Sequence, residues 1–251
     1  MIIRTEDERQ RMRAACQAAA DVLAGVAALV QPGRTTQELD DAAGELIRQL
    51  GGKSPFLGYR GYPGHICVSV NEEVVHGIPG KRRMQYGDIV SLDVGIVLDG
   101  YVGDNARTVP VGLVAPRTQE LLQVTEQALA AGIAMARPGH RVGDISHAIQ
   151  STVEAHGFSA VREFVGHGVG RKMHEEPQIP NFGAAGQGPK LKVGMTLAIE
   201  PMINAGTYEV QMLSDGWTVV TADGQPSAHF EHTVLVTEDG AEILTWQKKK
   251  P

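Results

Sequence analysis

Cysteine is scarce in this chain: two residues, Cys16 and Cys67, among 251. They form no C-x-x-C pair, which excludes a disulfide framework and fits a reducing compartment. Basic charge is not in excess either. Lys and Arg number 23 against 29 Asp and Glu, for a net charge of -6. A general basic field is therefore absent, and with it the expectation of specific nucleic-acid or anionic-membrane binding. The N-terminus, Met1 to Glu8, turns charged before an apolar signal core can form, and no later run is apolar enough to span a bilayer. A cytoplasmic protein with no membrane partner is expected. Pro/Ser linkers and low-complexity runs are also missing, while 42% hydrophobic and 21% charged residues can bury a full core.

Helical patterning dominates the start. Thr5 to about Val30 is Ala-rich and precedes Pro32-Gly33, a helix stop. Thr35 and Glu38 form a capping-box signature, and Leu39, Ala42, Ala43, Leu46 and Leu50 give the apolar stripe of a second helix before Gly51-Gly52. The design recurs with helices expected over Thr118 to Arg137 and Asp144 to His156. Pro32-Gly33 and Pro138-Gly139 lie 106 residues apart, as do Gly51 and Gly157. Gly87 to Asp93 likewise aligns with Gly194 to Glu200 at an offset of 107, so each half places a carboxylate at the same point. A period this long indicates two similar halves fused around a common site. The expectation is one α+β domain over residues 1–251, with pseudo-twofold halves of about 1–110 and 111–251, each contributing two helices and antiparallel strands.

Asp99-Gly100 between two β-rich runs is a strong hairpin signal. A two-residue loop there sets Leu98 opposite Tyr101, Gly95 opposite Asp104 and Asp93 opposite Ala106. Asp93 and Asp104 then become diagonal neighbours on one face, with β-carbons roughly 7 Å apart. Metal ions about 3.5–4 Å apart fit between such side chains, and Gly95 is expected to leave them room. Without a cation the two carboxylates would raise each other's pKa. The other face, with Val90, Leu92, Val94 and Ile96, is expected to pack against helices.

In the second half, Phe164 to Pro177 brings two histidines, three glycines and two glutamates together. The spacing is not HExxH, which excludes that helix-borne zinc site. Gly166, Gly168 and Gly170 would permit close backbone approach to whatever His167 touches. His167 and His174 stand out by context, whereas His65, His140, His147, His156, His229 and His232 read as structural. Thr196, Ala198 and Glu200 share one strand face. Glu231, Thr233 and Leu235 share another, opposite Phe230, His232, Val234 and Val236, so Glu231 can stand to Glu200 as Asp104 does to Asp93.

At these residues the chain resembles type I methionine aminopeptidase over essentially its whole length. The motifs that carry the resemblance are Leu92-Asp93-Val94, Gly103-Asp104, Gly166-His167-Gly168, Ile199-Glu200-Pro201-Met202 and Phe230-Glu231-His232. It implies the pita-bread (creatinase/aminopeptidase) fold, a pseudo-twofold antiparallel sheet covered by two pairs of helices. It also implies removal of N-terminal methionine from nascent polypeptides with a small second residue. Asp93, Asp104, His167, Glu200 and Glu231 would hold two divalent ions: Asp104 and Glu231 bridging, Asp93 chelating one, His167 with Glu200 completing the other. Mn, Fe or Co suits such oxygen-rich ligands, and Zn remains compatible. Glu200 would shuttle protons, with His76 beside the substrate amide and His174 beside the carbonyl oxygen.

By the same resemblance, Tyr59, Tyr62, Cys67, His76 and Trp217 form the methionine pocket, an aromatic slot suited to a thioether. Phe56 and Met173 depart from the commonest bacterial pattern, where a cysteine and an aromatic are frequent, and bear on the pocket's shape. Aminopeptidase P and proline dipeptidase share the five ligands but usually carry a large N-terminal domain, and none precedes the first ligand at residue 93. Only 31 residues separate Glu200 from Glu231, without room for the helical insertion of type II enzymes, and no zinc-finger extension is present. A scaffold protein that has lost its chemistry is the rival of another class. Lys248-Lys249-Lys250 is either a solvated end or a transient ribosome contact. A monomer is expected.

Overall fold

Two long strands, Ile89–Leu98 and Tyr101–Pro110, anchor the N-terminal half in a computed structural model that describes residues 2–246. They pair antiparallel around Asp99-Gly100, with Leu98 opposite Tyr101, Gly95 opposite Asp104 and Asp93 opposite Ala106. That is the register read from the sequence. Both turn residues have positive φ, 48° and 79°, as a tight hairpin matched to strand twist requires. The strand Cys67–Val70 adds to the other side of Ile89–Leu98 and sets Cys67 directly opposite Asp93. Val90, Leu92, Val94 and Ile96 pack as expected, in one apolar cluster with Val22 and Val26 of α1 (Glu6–Ala27) and Leu39 and Ile47 of α2 (Thr36–Gln49).

Both helices begin at threonine capping boxes, Thr5 with Glu8 and Thr35 with Glu38. The core stripe of α2 differs from the expected one. Leu39, Ala43 and Ile47 are buried, while Leu50 is 40% exposed, because it is the C-cap residue and lies beyond the last turn that faces the sheet. Thr35→Ala removes an acceptor for the Glu38 N–H and is expected to lower folding stability by about 1 kcal/mol. Urea denaturation would measure this, and an unchanged midpoint would rule out the cap as a stabilising element.

The second helix pair is α3 (Pro116–Met135) and α4 (Val142–Glu154). Helix α3 starts with proline at its first position, two residues before the expected Thr118. Helix α4 starts before Asp144 because that carboxylate accepts the Arg141 N–H at 2.7 Å from inside the first turn. Leu129, Ile145 and Ile149 of these helices form one apolar cluster with Leu197, Ile199, Phe230, Val234 and Val236. Those five alternate with Glu200 and Glu231 along their strands and lie on the opposite face. The five-stranded sheet beneath runs Ala241–Ile243, His232–Val236, Thr196–Ile199, Gly166–Gly168, Glu175–Ile179, with every neighbour antiparallel.

A hydrogen-bonded seam joins the halves. Thr233 Oγ1 donates to Asp104 O at 2.7 Å and the Glu231 N–H donates to Ala106 O at 2.9 Å. Thr108 Oγ1 donates to His229 O at 2.9 Å and accepts the His229 N–H at 2.8 Å. Since the one hydroxyl proton of Thr108 is used there, Ser91 Oγ must donate the 2.8 Å bond between the two hydroxyls. These contacts step two residues at a time in opposite directions, 104, 106, 108 against 233, 231, 229. The seam therefore brings Glu231 to Asp104. Among the described residues no helix is long and apolar enough to cross a membrane.

Candidate metal centre and substrate cavity

Carboxylate oxygens of Asp93, Asp104 and Glu231 lie within 4.8 Å of one another. His167 Nε2 is 3.7 Å from Asp104 Oδ2 and 3.3 Å from Glu200 Oε1. The other ring nitrogen, Nδ1, is 2.9 Å from Gly168 O, and a carbonyl can only accept. Nδ1 thus carries the proton in the neutral ring, and the Nε2 lone pair faces the carboxylates. The five residues singled out from the sequence are brought together from both halves.

Glu231 arrives by a route the strand alternation did not supply. The ladder pairs His232 with Ile199, so continuing it one step sets Glu231 opposite Glu200, whereas Asp104 is diagonal to Asp93. The close carboxylate partners of Glu231 are those of the first half, delivered by the seam. Two glycine readings are corrected as well. A β-carbon on Gly95 would lie 2.6 Å from Pro55 Cγ and 3.1 Å from the Phe56 ring, so its missing side chain admits those residues rather than an ion. On Gly166 and Gly168 an added β-carbon would strike the carbonyls of Ala198 and Glu176, so these glycines serve close packing of neighbouring strands.

The electrostatics are costly without a cation. Burial, with neighbouring carboxylates adding, pushes Asp104 and Glu231 well above the ordinary carboxylate range. Burial also raises Asp93 and Glu200, each to about 7. Asp93 Oδ1, Asp104 Oδ1 and Glu231 Oε1 are buried without a hydrogen-bond partner. Orphaned acceptors, crowded acids and one imidazole lone pair converging on a point are what a divalent cation would satisfy, so the donor set fits one.

The carboxylates open into a cavity of about 660 Å³, within the usual size of small-molecule sites. Tyr59, Tyr62, Cys67, His76, His174 and Trp217 line it, together with Phe56 and Met173. Tyr62 is buried and its hydroxyl donates to Gly77 O at 2.8 Å, with Ile66 O at 3.1 Å. Its ring meets Trp217 edge-on at 5.1 Å, and Trp217 meets His76 at 6.0 Å. His76 itself has a φ of +59°, a strained conformation for a non-glycine residue and one that clusters at functional sites. Ser69 Oγ accepts the next N–H, of Gly77, at 3.1 Å and helps hold the bend. A second run of rings joins Tyr59 to His174 at 5.8 Å and His174 to His167 at 4.5 Å. Burial lowers the His76 pKa to about 4, with His229 adding, and burial lowers that of His174 as well.

Two neighbours escape the sequence reading. Phe164, which lines the cavity and meets His76 edge-on at 5.4 Å, lies two residues before Gly166-His167-Gly168 but carries no chemistry to mark it. His229, read as structural, is buried with Nε2 3.5 Å from Glu200 Oε2. Its position two residues before Glu231 was the available signal.

Acids gathered over an antiparallel sheet beside a cavity of this size fit a metal-dependent hydrolase, and the chain belongs to metallopeptidase family M24, whose model matches residues 10–238. Within that family it falls among the methionine aminopeptidases. Methionine aminopeptidase 1 of Bacillus subtilis is 55% identical over 216 residues, 86% of this chain and 87% of that protein. The methionine aminopeptidase of Clostridium perfringens is 49% identical over 98% of both chains. A methionine aminopeptidase structure from Thermotoga maritima superposes with a TM-score of 0.96 at 51% identity, covering 98% of this chain and 100% of that one. The pita-bread fold extends to prolidase from Pyrococcus furiosus, with a TM-score of 0.79 at 23% identity, where this chain covers 66% of the longer structure.

Proposed function

We propose that the chain hydrolyses N-terminal methionine from nascent polypeptides with a small second residue, holding two divalent ions through Asp93, Asp104, His167, Glu200 and Glu231. The carrying observation is the crowd of buried acids with unpartnered oxygens opening onto an aromatic cavity. Its oxygen-rich donors suit Mn, Fe or Co. When bound, the ions supply Lewis acidity that activates water and polarises the scissile carbonyl.

The protein's own groups do the rest. Glu200 accepts the proton of the attacking water and returns it to the leaving amine. His76 is neutral near pH 7 and donates a hydrogen bond to the substrate amide, while His174 supports the developing charge on the carbonyl oxygen. Tyr62, Trp217, Tyr59 and Cys67 enclose the methionine thioether, with Phe56 and Met173 closing the slot.

The same reading takes the chain as one catalytic domain of two halves, a monomer working in the cytoplasm. The seam between the strand Tyr101–Pro110 and residues 229–233 supports the single domain. The ribosome contact invoked for Lys248 to Lys250 lies outside the described residues.

Hydrolysis of Met-Ala-Ser, with and without Mn or Co, tests the activity. Metal-dependent release of methionine, with an X-Pro peptide left intact, is expected. No cleavage with any metal would refute the activity, and preferential X-Pro cleavage would reassign the chain to proline-specific chemistry.

A further inference from the structure

His229 is buried behind the carboxylates, and neither the ligand set nor the cavity lining uses it. Its backbone is fixed twice over. Thr108 Oγ1 bonds both its N–H and its carbonyl, and the strand Ser227–His229 pairs with Met202–Asn204 so that His229 stands opposite Met202. Met202 follows Glu200 by one proline, so His229 and Glu200 are registered to the same segment.

The side chain meets Glu200 from the side away from His167. Glu200 Oε1 is 3.3 Å from His167 Nε2, and Glu200 Oε2 is 3.5 Å from His229 Nε2. The carboxylate is thus set between two imidazoles. They cannot play the same part, because His167 spends its Nδ1 proton on Gly168 O and turns a lone pair inward. A second lone pair aimed at the same carboxylate from His229 would leave two acceptors face to face. His229 Nε2 is buried and makes no hydrogen bond, with Glu200 Oε2 3.5 Å away. Rotation of Glu200 about its terminal torsion, which is soft, can bring Oε2 into line with that nitrogen.

We propose that His229 is a positioning residue whose Nε2–H donates to Glu200 Oε2 and fixes the plane of that carboxylate, leaving Oε1 to the His167 side and to proton transfer. The assignment rests on the reading of Glu200 as a ligand and proton carrier. Outer hydrogen bonds of this kind typically change metal affinity or activity by 10–100-fold when removed. Hydrogen-bond donation is the property that matters, so glutamine should substitute and methionine, of similar length but without a donor, should not.

The test uses the full chain, stripped with EDTA, carrying H229M or H229Q. Mn²⁺ affinity is measured by titration calorimetry, and kcat and KM are measured on Met-Ala-Ser, after circular dichroism has verified folding. H229M is expected to lose about 10–100-fold in kcat with KM within about twofold, and to bind Mn²⁺ about tenfold more weakly. H229Q should return both to within about threefold of the parent. Parent-like kcat and Mn²⁺ affinity in H229M would overturn the assignment, as would H229Q as impaired as H229M.

The E200Q background separates this from the site reading. If His229 acts through Glu200, H229M should add nothing further to the Mn²⁺ affinity of E200Q, and an additive loss would overturn it. Full metal-dependent activity in E200Q alone would instead refute the role given to Glu200. Should H229M fail to fold, H229Q against a folded H229L carries the same comparison.

Discussion

Asp104→Asn is expected to abolish peptide hydrolysis while making the metal-free protein more stable. Asp104 is buried and keeps an unpartnered oxygen in the carboxylate crowd. Asparagine preserves the shape but removes the charge that a cation needs. Losing ~4 kcal/mol of transition-state stabilisation, the scale of Lewis-acid catalysis, corresponds to roughly a thousandfold in rate. The stability effect has the opposite sign. A carboxyl whose folded pKa lies above its unfolded value costs nothing below the unfolded pKa. The cost grows as pH rises through the gap and is complete above the folded pKa. Asp104 is such a group, raised well above the ordinary range by burial and then by Asp93 and Glu200. At pH 7.5 its replacement removes that cost, so the EDTA-treated variant should melt at a higher temperature than the parent. Differential scanning calorimetry of EDTA-treated protein reads the gain, and the added stabilisation by Mn²⁺ should vanish. A variant that kept both activity and Mn²⁺ stabilisation would remove Asp104 from the metal site.

The ease of reading this site from sequence varied with how local its geometry is. Asp93 and Asp104 sit on one hairpin, so a two-residue turn fixes their spacing without knowledge of the rest of the fold. Helix starts at Thr5 and Thr35 were equally legible, since a capping box is complete within four residues. Long-range placement was not. Glu231 reaches Asp104 through hydrogen bonds from Thr233, Glu231 and His229 to a strand more than a hundred residues earlier, and alternation along its own strand says nothing of that contact. His229 was passed over for the same reason: buried histidines look alike in sequence until their nearest charge is known. Gly95, Gly166 and Gly168 were recognisable as close-approach positions, but what approaches them, Phe56 or a neighbouring strand, is decided by packing.

Metal-free protein should lose stability as pH rises from 7 to 8.5, and metal should erase that dependence. Two sets of groups oppose each other at lower pH. Burial depresses His76, His167, His174, His229 and His232, so below the unfolded histidine pKa the unfolded chain binds more protons and stability falls as pH falls. Asp93, Asp104, Glu200 and Glu231 have raised values, so the folded chain binds more protons and stability falls as pH rises. Between about pH 4.5 and 6.5 these slopes act against each other and the Tm should change little. Above pH 7 both forms of the histidines are neutral and contribute no slope, whereas the carboxylates continue to release protons only from the folded state. Asp93 and Glu200, each near 7, finish first. Burial also raises Asp104 and Glu231, and their mutual repulsion couples their titration. The part of the Asp93 and Glu200 titration that lies above pH 7 is worth about 1 kcal/mol, which lowers Tm by roughly 2–4 °C over this range. Bound cations replace the protons, which makes the Tm of Mn²⁺-loaded protein level from pH 7 to 8.5 and makes metal binding release protons. Calorimetric titrations in buffers of different ionisation enthalpy would count them. A metal-free Tm that rose or stayed level above pH 7, or Mn²⁺ binding without proton release, would show that the carboxylates are already ionised and that the cation is not what compensates them.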